Sequence, residues 1–134
     1  MINSNYLHSE TTQIINQAFY KVYNTLGIGF LEKVYENALF IELKKVGLQC
    51  AQQQLVKVYY EGEQIGYYYA DIIVENKIII ELKAAETLCE AHEAQLVNYL
   101  RASEIEVGVL LNFGKKPQHK RKVLTAEYKN HKKT

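Results

Sequence analysis

The chain is poor in cysteine, proline and aspartate, and it has no long apolar run. Its two cysteines, Cys50 and Cys89, are too few for a disulfide framework and read as reduced thiols of a cytoplasmic protein. No apolar stretch approaches the roughly 18 residues that cross a bilayer, so no membrane partner is expected. The segment from Met1 to Glu10 is polar and lacks the basic-then-apolar pattern of a secretion signal. Linkers, repeats and low-complexity stretches are also missing. The 134 residues therefore read as one domain, 1–134, long enough to bury one core. With 48% hydrophobic and 23% charged residues, the composition is that of a folded chain and excludes a disordered one.

Charge is balanced overall but not along the chain. The net charge is +1, yet the segment 115–134 holds eight bases (Lys115, Lys116, Lys120, Arg121, Lys122, Lys129, Lys132, Lys133) against one acid, Glu127. A basic C-terminal segment on an acidic body suits a polyanionic partner such as nucleic acid. A solvated tail that keeps the protein in solution explains the same pattern, and on charge alone it is the plainer explanation.

Hydrophobic spacing outlines the elements. Ile14, Ile15, Ala18, Phe19, Val22 and Leu26 share one face of a helix over about Ser9 to Leu26, ended by Gly27. Leu31, Val34, Tyr35, Ala38, Leu39 and Leu43 form the stripe of a second helix, with Gly29 as its expected N-cap and Gly47 as its stop. The period then changes to two. Leu55 to Tyr60, Ile65 to Val74 and Lys77 to Lys83 read as strands, joined by turns at Glu61-Gly62-Glu63 and near Asn76. Thr87 and Glu90 have capping-box spacing for a third helix reaching about Ala102. Ile105 to Phe113 is an apolar strand, Pro117 is expected in a loop, and Val123 to Thr125 fits a last short strand. The order ααβββαβ predicts an α/β fold, with a mixed central sheet flanked by helices and a helical crossover between parallel strands.

The chemistry gathers in the central hairpin. If Asp71 pairs across from Glu81, then Ala70, Ile72, Val74, Ile78, Ile80 and Leu82 fall on one face. Tyr69, Asp71, Ile73, Ile79, Glu81 and Lys83 fall on the other, and the turn between the strands must be odd in length. Asp71 is the only aspartate among fifteen acids. Two carboxylates on apolar strands are costly unless paired or bound to metal. Such a pair can hold a hard cation such as Mg²⁺, or Mn²⁺ in its place, for phosphodiester hydrolysis. Lys83, two residues after Glu81, points to the same face and can orient the attacking water. A structural salt bridge of Lys83 with Glu81 or Asp71 accounts for the same spacing. In the third helix His92, Gln95 and Tyr99 share a face, and Gln95 with Tyr99 can hold a phosphate backbone. Glu32, with Glu36 one turn on, is a further candidate carboxylate, and at N3 of its helix it would equally serve as a cap. Cys89 and His92 lack the second pair a zinc site needs. Tyr67, Tyr68 and Tyr69 can stack on bases, or simply fill a strand surface.

These residues resemble a known family. Gly29-Phe-Leu-Glu32-Lys-Val-Tyr35 is similar to the signature of the GxxExxY proteins, and Glu36 continues it. So are Asp71-Ile-Ile-Val-Glu75, Ile80-Glu81-Leu-Lys83-Ala84, His92-Glu-Ala-Gln95-Leu-Val-Asn-Tyr99-Leu100 and Leu111-Asn112-Phe113-Gly114. The resemblance runs from about Ile14 to Gly114. It implies the restriction-endonuclease-like PD-(D/E)xK core and a metal-dependent nuclease acting on DNA or RNA. Asp71, Glu81 and the Leu82 carbonyl would be the metal ligands. Lys83 and Glu32 would complete the catalytic set, and Gln95 and Tyr99 would bind substrate. The Q-x-x-x-Y run resembles the exonuclease branch. A non-catalytic nucleic-acid- or partner-binding module that keeps the fold is the alternative. At this length, contacts from a partner or a second copy in a homodimer have room to contribute.

Overall fold

The computed structural model describes residues 7–129. Two helices come first, α1 (Ser9–Leu26) and α2 (Glu32–Lys45). Three strands follow, β1 (Cys50–Tyr60), β2 (Glu63–Val74) and β3 (Ile78–Lys83), then helix α3 (Glu90–Ala102) and strands β4 (Val107–Phe113) and β5 (Pro117–Val123). The strands form one sheet in the order β1-β2-β3-β4-β5. All neighbours are antiparallel except β3 and β4, which α3 connects in parallel. The mixed sheet flanked by helices is the expected architecture. Among the described residues no helix is long and apolar enough to cross a membrane.

The sheet separates two apolar layers. On one side Ile15, Phe19 and Val22 of α1 and Tyr35, Leu39 and Leu43 of α2 pack on Ile72, Val74, Ile78, Ile80, Leu82 and the odd-numbered residues of β4. On the other side Leu96 and Leu100 of α3 cover Ala70, Ile73, Ile79 and Leu110. β3 and β4 are sandwiched, which is why IIIELK is buried at every position but Lys83 and VGVLLNF at every position, with Ile78-Ile-Ile and most of β4 apolar. Gly108 leaves room for α3, since a Cβ there would lie 2.7 Å from Leu96 Cδ1.

Helix ends match local chemistry, although not always where the spacing put them. Gly27, at φ 70°, caps α1 through its N–H to the Tyr23 carbonyl at 2.9 Å. Gly47, at φ 90°, closes α2 with the paired bonds Gly47 N–H to Lys44 O and Leu48 N–H to Leu43 O, a Schellman end. The N-cap of α2 is Leu31 and not Gly29. Gly29 adopts φ 108° in the loop before it, so Glu32 becomes the first helical residue and complements the helix dipole there. The N-cap of α3 is Cys89 and not Thr87. His92 sits at N3, and its Nδ1 accepts the Cys89 N–H at 3.2 Å, the role a capping-box glutamate would fill.

Two strand assignments also change. β1 begins at Cys50, five residues before Leu55; the run Gln52-Gln53-Gln54 at a sheet edge has no apolar residues whose alternation would mark it as strand. Pro117 opens β5 instead of lying in a loop, and the last strand is Pro117–Val123, not Val123–Thr125. The order is thus ααβββαββ. Proline is tolerated there because it is the first residue of an edge strand. Three bases of the C-terminal segment, Lys120, Arg121 and Lys122, are consequently in the sheet, while Lys132 and Lys133 lie outside the described residues.

Tyr35 ties the first layer to the loop ahead of α2. Its ring is buried and stacks on Phe113 with centroids 4.2 Å apart, and Phe19 meets Phe113 edge-on at 4.9 Å. Its hydroxyl donates to the Gly27 carbonyl at 2.6 Å and accepts the Phe30 N–H at 3.2 Å. Tyr35→Phe keeps the stack and strands both backbone groups. It is expected to cost about 1–3 kcal/mol, read as a lowered midpoint in urea at unchanged slope. A midpoint equal to that of the parent protein would show that water replaces the hydroxyl at no cost.

Candidate active site

The β2–β3 hairpin has the expected register, with Ile72 opposite Ile80, Ile73 opposite Ile79 and Val74 opposite Ile78. Its turn is three residues long, with Glu75 and Asn76 both at positive φ and the Lys77 N–H donating to Val74 O. The main-chain ladder stops one pair short of Asp71 and Glu81. In its place the side chains take over. The Asp71 N–H donates to Glu81 Oε2 at 3.1 Å, and the Leu82 N–H donates to Asp71 Oδ2 at 2.9 Å. Each carboxylate thus satisfies a backbone donor of the opposite strand as β2 and β3 part.

Alternation along β2 slips at this point. Tyr68 and Ala70 pack on the α3 side, and so does Ile73, an odd step away. The expectation that Ala70 shares a face with Ile72 and Val74 is therefore incorrect. The slip falls where the ladder is interrupted in both strands: the pairing steps from Gln52–Ile72 to Gln54–Ala70 with no Gln53–Asp71 pair, and Gln53 has φ 53°. Strict alternation holds only along a continuous ladder, so it does not carry across the missing pair.

The surroundings are electrostatically tense. Burial raises Glu81 from an ordinary 4.5 to about 8, the nearby Asp71 charge adds to the rise, and the Asp71 N–H and Lys83 oppose it. Asp71 is also raised, first by burial, with the Leu82 N–H pulling it down and Glu36 pushing it up. Glu36 is buried in α2, where Lys33 Nζ donates to it at 3.1 Å, Gln52 Nε2 at 2.6 Å and Gln53 Nε2 at 2.9 Å. Gln53 Nε2 also reaches Asp71 Oδ1 at 3.3 Å.

Helix α3 closes the other side. Lys83 Nζ donates to Gln95 Oε1 at 3.1 Å. Tyr99 stacks on Tyr68, with centroids 3.6 Å apart, and its carbonyl accepts the Tyr68 hydroxyl at 2.9 Å. Burial, then the Glu81 and Asp71 charges, raise the Tyr99 pKa, so its hydroxyl stays protonated. Tyr68 is raised for the same reasons, burial first and Glu81 next.

Asp71, Glu81, Lys83, Gln95 and Tyr99 therefore converge at one end of the sheet, as their spacing suggested. Glu32 is apart from them: it is exposed at the start of α2 and acts on Asp71 only as a distant charge. The carboxylate linked to the site by hydrogen bonds is Glu36, one turn on. Gln53 is the residue that sequence reasoning missed, since nothing in a Gln52-Gln53-Gln54 run marks one member. Asn112 is another. It is buried, and its side chain holds both the N–H and the carbonyl of Ala85, fixing the chain as it leaves β3.

The donor set fits a hard divalent cation. Asp71, Glu81 and the Leu82 carbonyl offer oxygen only. Among the described residues no three His, Cys, Asp or Glu side chains form a metal-ligating group. Two carboxylates and a carbonyl suit a hard divalent cation that keeps several of its waters. A cation would also relieve the repulsion that raises Glu81 and Asp71.

Known proteins agree with this arrangement at the level of family and fold. No curated protein matches the chain. A solved structure titled "Crystal structure of SSO0001" superposes with a TM-score of 0.57 at 21% identity, over 90% of this chain and 61% of that one. The chain thus spans about three-fifths of that protein's length, and the likeness is one of fold. The sequence pattern of the PD-(D/E)XK nuclease superfamily matches residues 9–123, from the start of α1 to the end of β5, and the chain belongs to that superfamily.

Proposed function

We propose that the protein is a divalent-metal-dependent nuclease of the GxxExxY type that hydrolyses phosphodiester bonds in DNA or RNA. The observation that carries this reading is the pair of half-withdrawn carboxylates, Asp71 and Glu81, with Lys83, Gln95 and Tyr99 beside them. A protein that only bound phosphates would gain nothing from buried negative charge. Asp71, Glu81 and the Leu82 carbonyl would hold Mg²⁺ or Mn²⁺. Such an ion, when bound, supplies positive charge at the phosphate and lowers the pKa of water.

The chain's own groups supply the rest. Lys83, two residues from Glu81 and held by Gln95, orients the attacking water and offsets charge that develops on the phosphate. Tyr99 keeps its proton and donates a hydrogen bond to a phosphate oxygen. Gln95 steadies Lys83 before substrate arrives and is exposed enough to touch the backbone itself. Glu32, at the rim, assists through its charge. The basic residues of β5 and the turn before it draw in the polyanion. The unpaired thiols Cys50 and Cys89 suit a cytoplasmic location.

The direct test is cleavage of single-stranded, duplex and branched DNA and RNA with Mg²⁺, with Mn²⁺ and with EDTA. Cleavage that requires the divalent ion is expected. Lys83→Ala should lower it about 10²–10³-fold while calorimetry still detects Mn²⁺ binding. If no substrate is cut and no divalent ion binds at millimolar concentration, the chain is a non-catalytic binding module of the same fold.

The raised Glu81 makes a second expectation. In EDTA its folded pKa of about 8 exceeds its ordinary 4.5, so the folded state keeps a proton that the unfolded chain has lost. That contribution to stability is fully present below pH 4.5 and is lost as pH rises toward 8. Glu81→Gln should flatten this decline in Tm. Mg²⁺ should raise the Tm of the parent protein, with a free concentration about 100 times Kd adding about 2.7 kcal/mol. The same addition should leave Asp71→Asn and Glu81→Gln unmoved. A Tm that is flat with pH in EDTA would show that Glu81 is ionised throughout.

A further inference from the structure

Gln53 occupies a backbone conformation that its side chain does not favour. Its φ is 53°, in the left-handed region that glycine adopts freely, and it sits in the middle of an eleven-residue strand. Asn or Gly would be the expected occupant if the backbone alone mattered. The ladder passes Gln53 by, pairing Gln52 with Ile72 and Gln54 with Ala70, so its place opposite Asp71 carries no main-chain pair. What the kink achieves is visible in the side chain. One amide nitrogen donates to Glu36 Oε1 at 2.9 Å and to Asp71 Oδ1 at 3.3 Å. The two hydrogens of a carboxamide match two acceptors, and both acceptors here are carboxylates.

The consequence for Asp71 is geometric. Its Oδ2 takes the Leu82 N–H and its Oδ1 takes the Gln53 amide, so both oxygens have donors and the rotation of the carboxylate is fixed from two elements. Glu36 in turn is anchored by Lys33 and Gln52, which holds the far side of the bridge. We infer that Gln53 is a positioning residue, which aims the Asp71 carboxylate and joins it to the buried Glu36. The backbone strain at Gln53 persists because this amide is needed there. The inference rests on the nuclease reading, because aiming a carboxylate matters only if a cation is bound by it.

Two substitutions separate the amide from the backbone. Gln53→Gly and Gln53→Ala both delete the bridge, but only glycine relaxes the left-handed conformation. Each variant is compared with the parent protein by calorimetric titration of Mn²⁺ and by thermal denaturation in EDTA. Both should lose Mn²⁺ affinity by roughly tenfold or more, as removal of partners behind metal ligands commonly does. Gln53→Gly should nevertheless melt above Gln53→Ala. Equal losses of affinity at unequal Tm support the positioning role. Affinity that follows Tm, kept by glycine and lost by alanine, overturns it, since the backbone would then be what matters. Parent-like affinity in both variants overturns it as well, and leaves the nuclease reading standing. Absence of Mn²⁺ binding by the parent protein fails that reading itself, and the inference with it.

Discussion

The fold's function turns on a single substitution of partners: where β2 and β3 separate, carboxylates replace main-chain carbonyls as acceptors for the opposite strand. A strand pair that simply ended would leave the Asp71 and Leu82 N–H groups without partners near a buried layer. Charge-assisted bonds to Glu81 Oε2 and Asp71 Oδ2 satisfy both. They also draw two acids toward the interior, and the cost appears as raised pKa values. The carboxylates are thus held in place by the fold while the fold penalises their charge. A site in that condition has a standing preference for a cation or a proton.

The rest of the molecule keeps this opening in shape. β3 and β4, covered on both faces, form a stiff floor. Asn112 clamps Ala85 just beyond Lys83, and Gly114 allows that approach, since a Cβ there would stand 2.2 Å from the Ala85 carbonyl. Tyr23 reaches the same corner from α1, its hydroxyl donating to Gly114 O at 2.6 Å. The aromatic column of Phe19, Phe113 and Tyr35 then links α1, β4 and α2. Through it, the helix that carries Glu36 is registered against the strand beside Glu81.

What the sequence disclosed follows from which forces are periodic. The bounds of α1 and the hairpin register were legible because burial repeats at 3.6 or 2 residues, and Ile72, Val74, Ile78 and Ile80 state that repeat plainly. The convergence of Asp71, Glu81, Lys83, Gln95 and Tyr99 followed from the same arithmetic. Aperiodic features did not show. The face of Ala70 depends on the ladder being interrupted at Asp71 and Gln53, which no spacing announces. The cap of α3 depends on a histidine nitrogen doing a carboxylate's work. β5 was overlooked because an edge strand of PQHKRKV has little apolar residue to alternate. That Glu36 and not Glu32 is joined to Asp71 by hydrogen bonds depends on where α2 begins, and the Gly29 loop moved that start by two residues.

The two flanks of the sheet are unlike. β5 presents Pro117 and a run of bases along the outer side, while β1 presents glutamines and aliphatic residues. A foreign strand seeking to extend the sheet past β5 would meet a missing donor and a row of positive charges. These charges therefore guard that border against fibrous self-assembly. Neutralising the lysines of that strand would remove a safeguard for solubility.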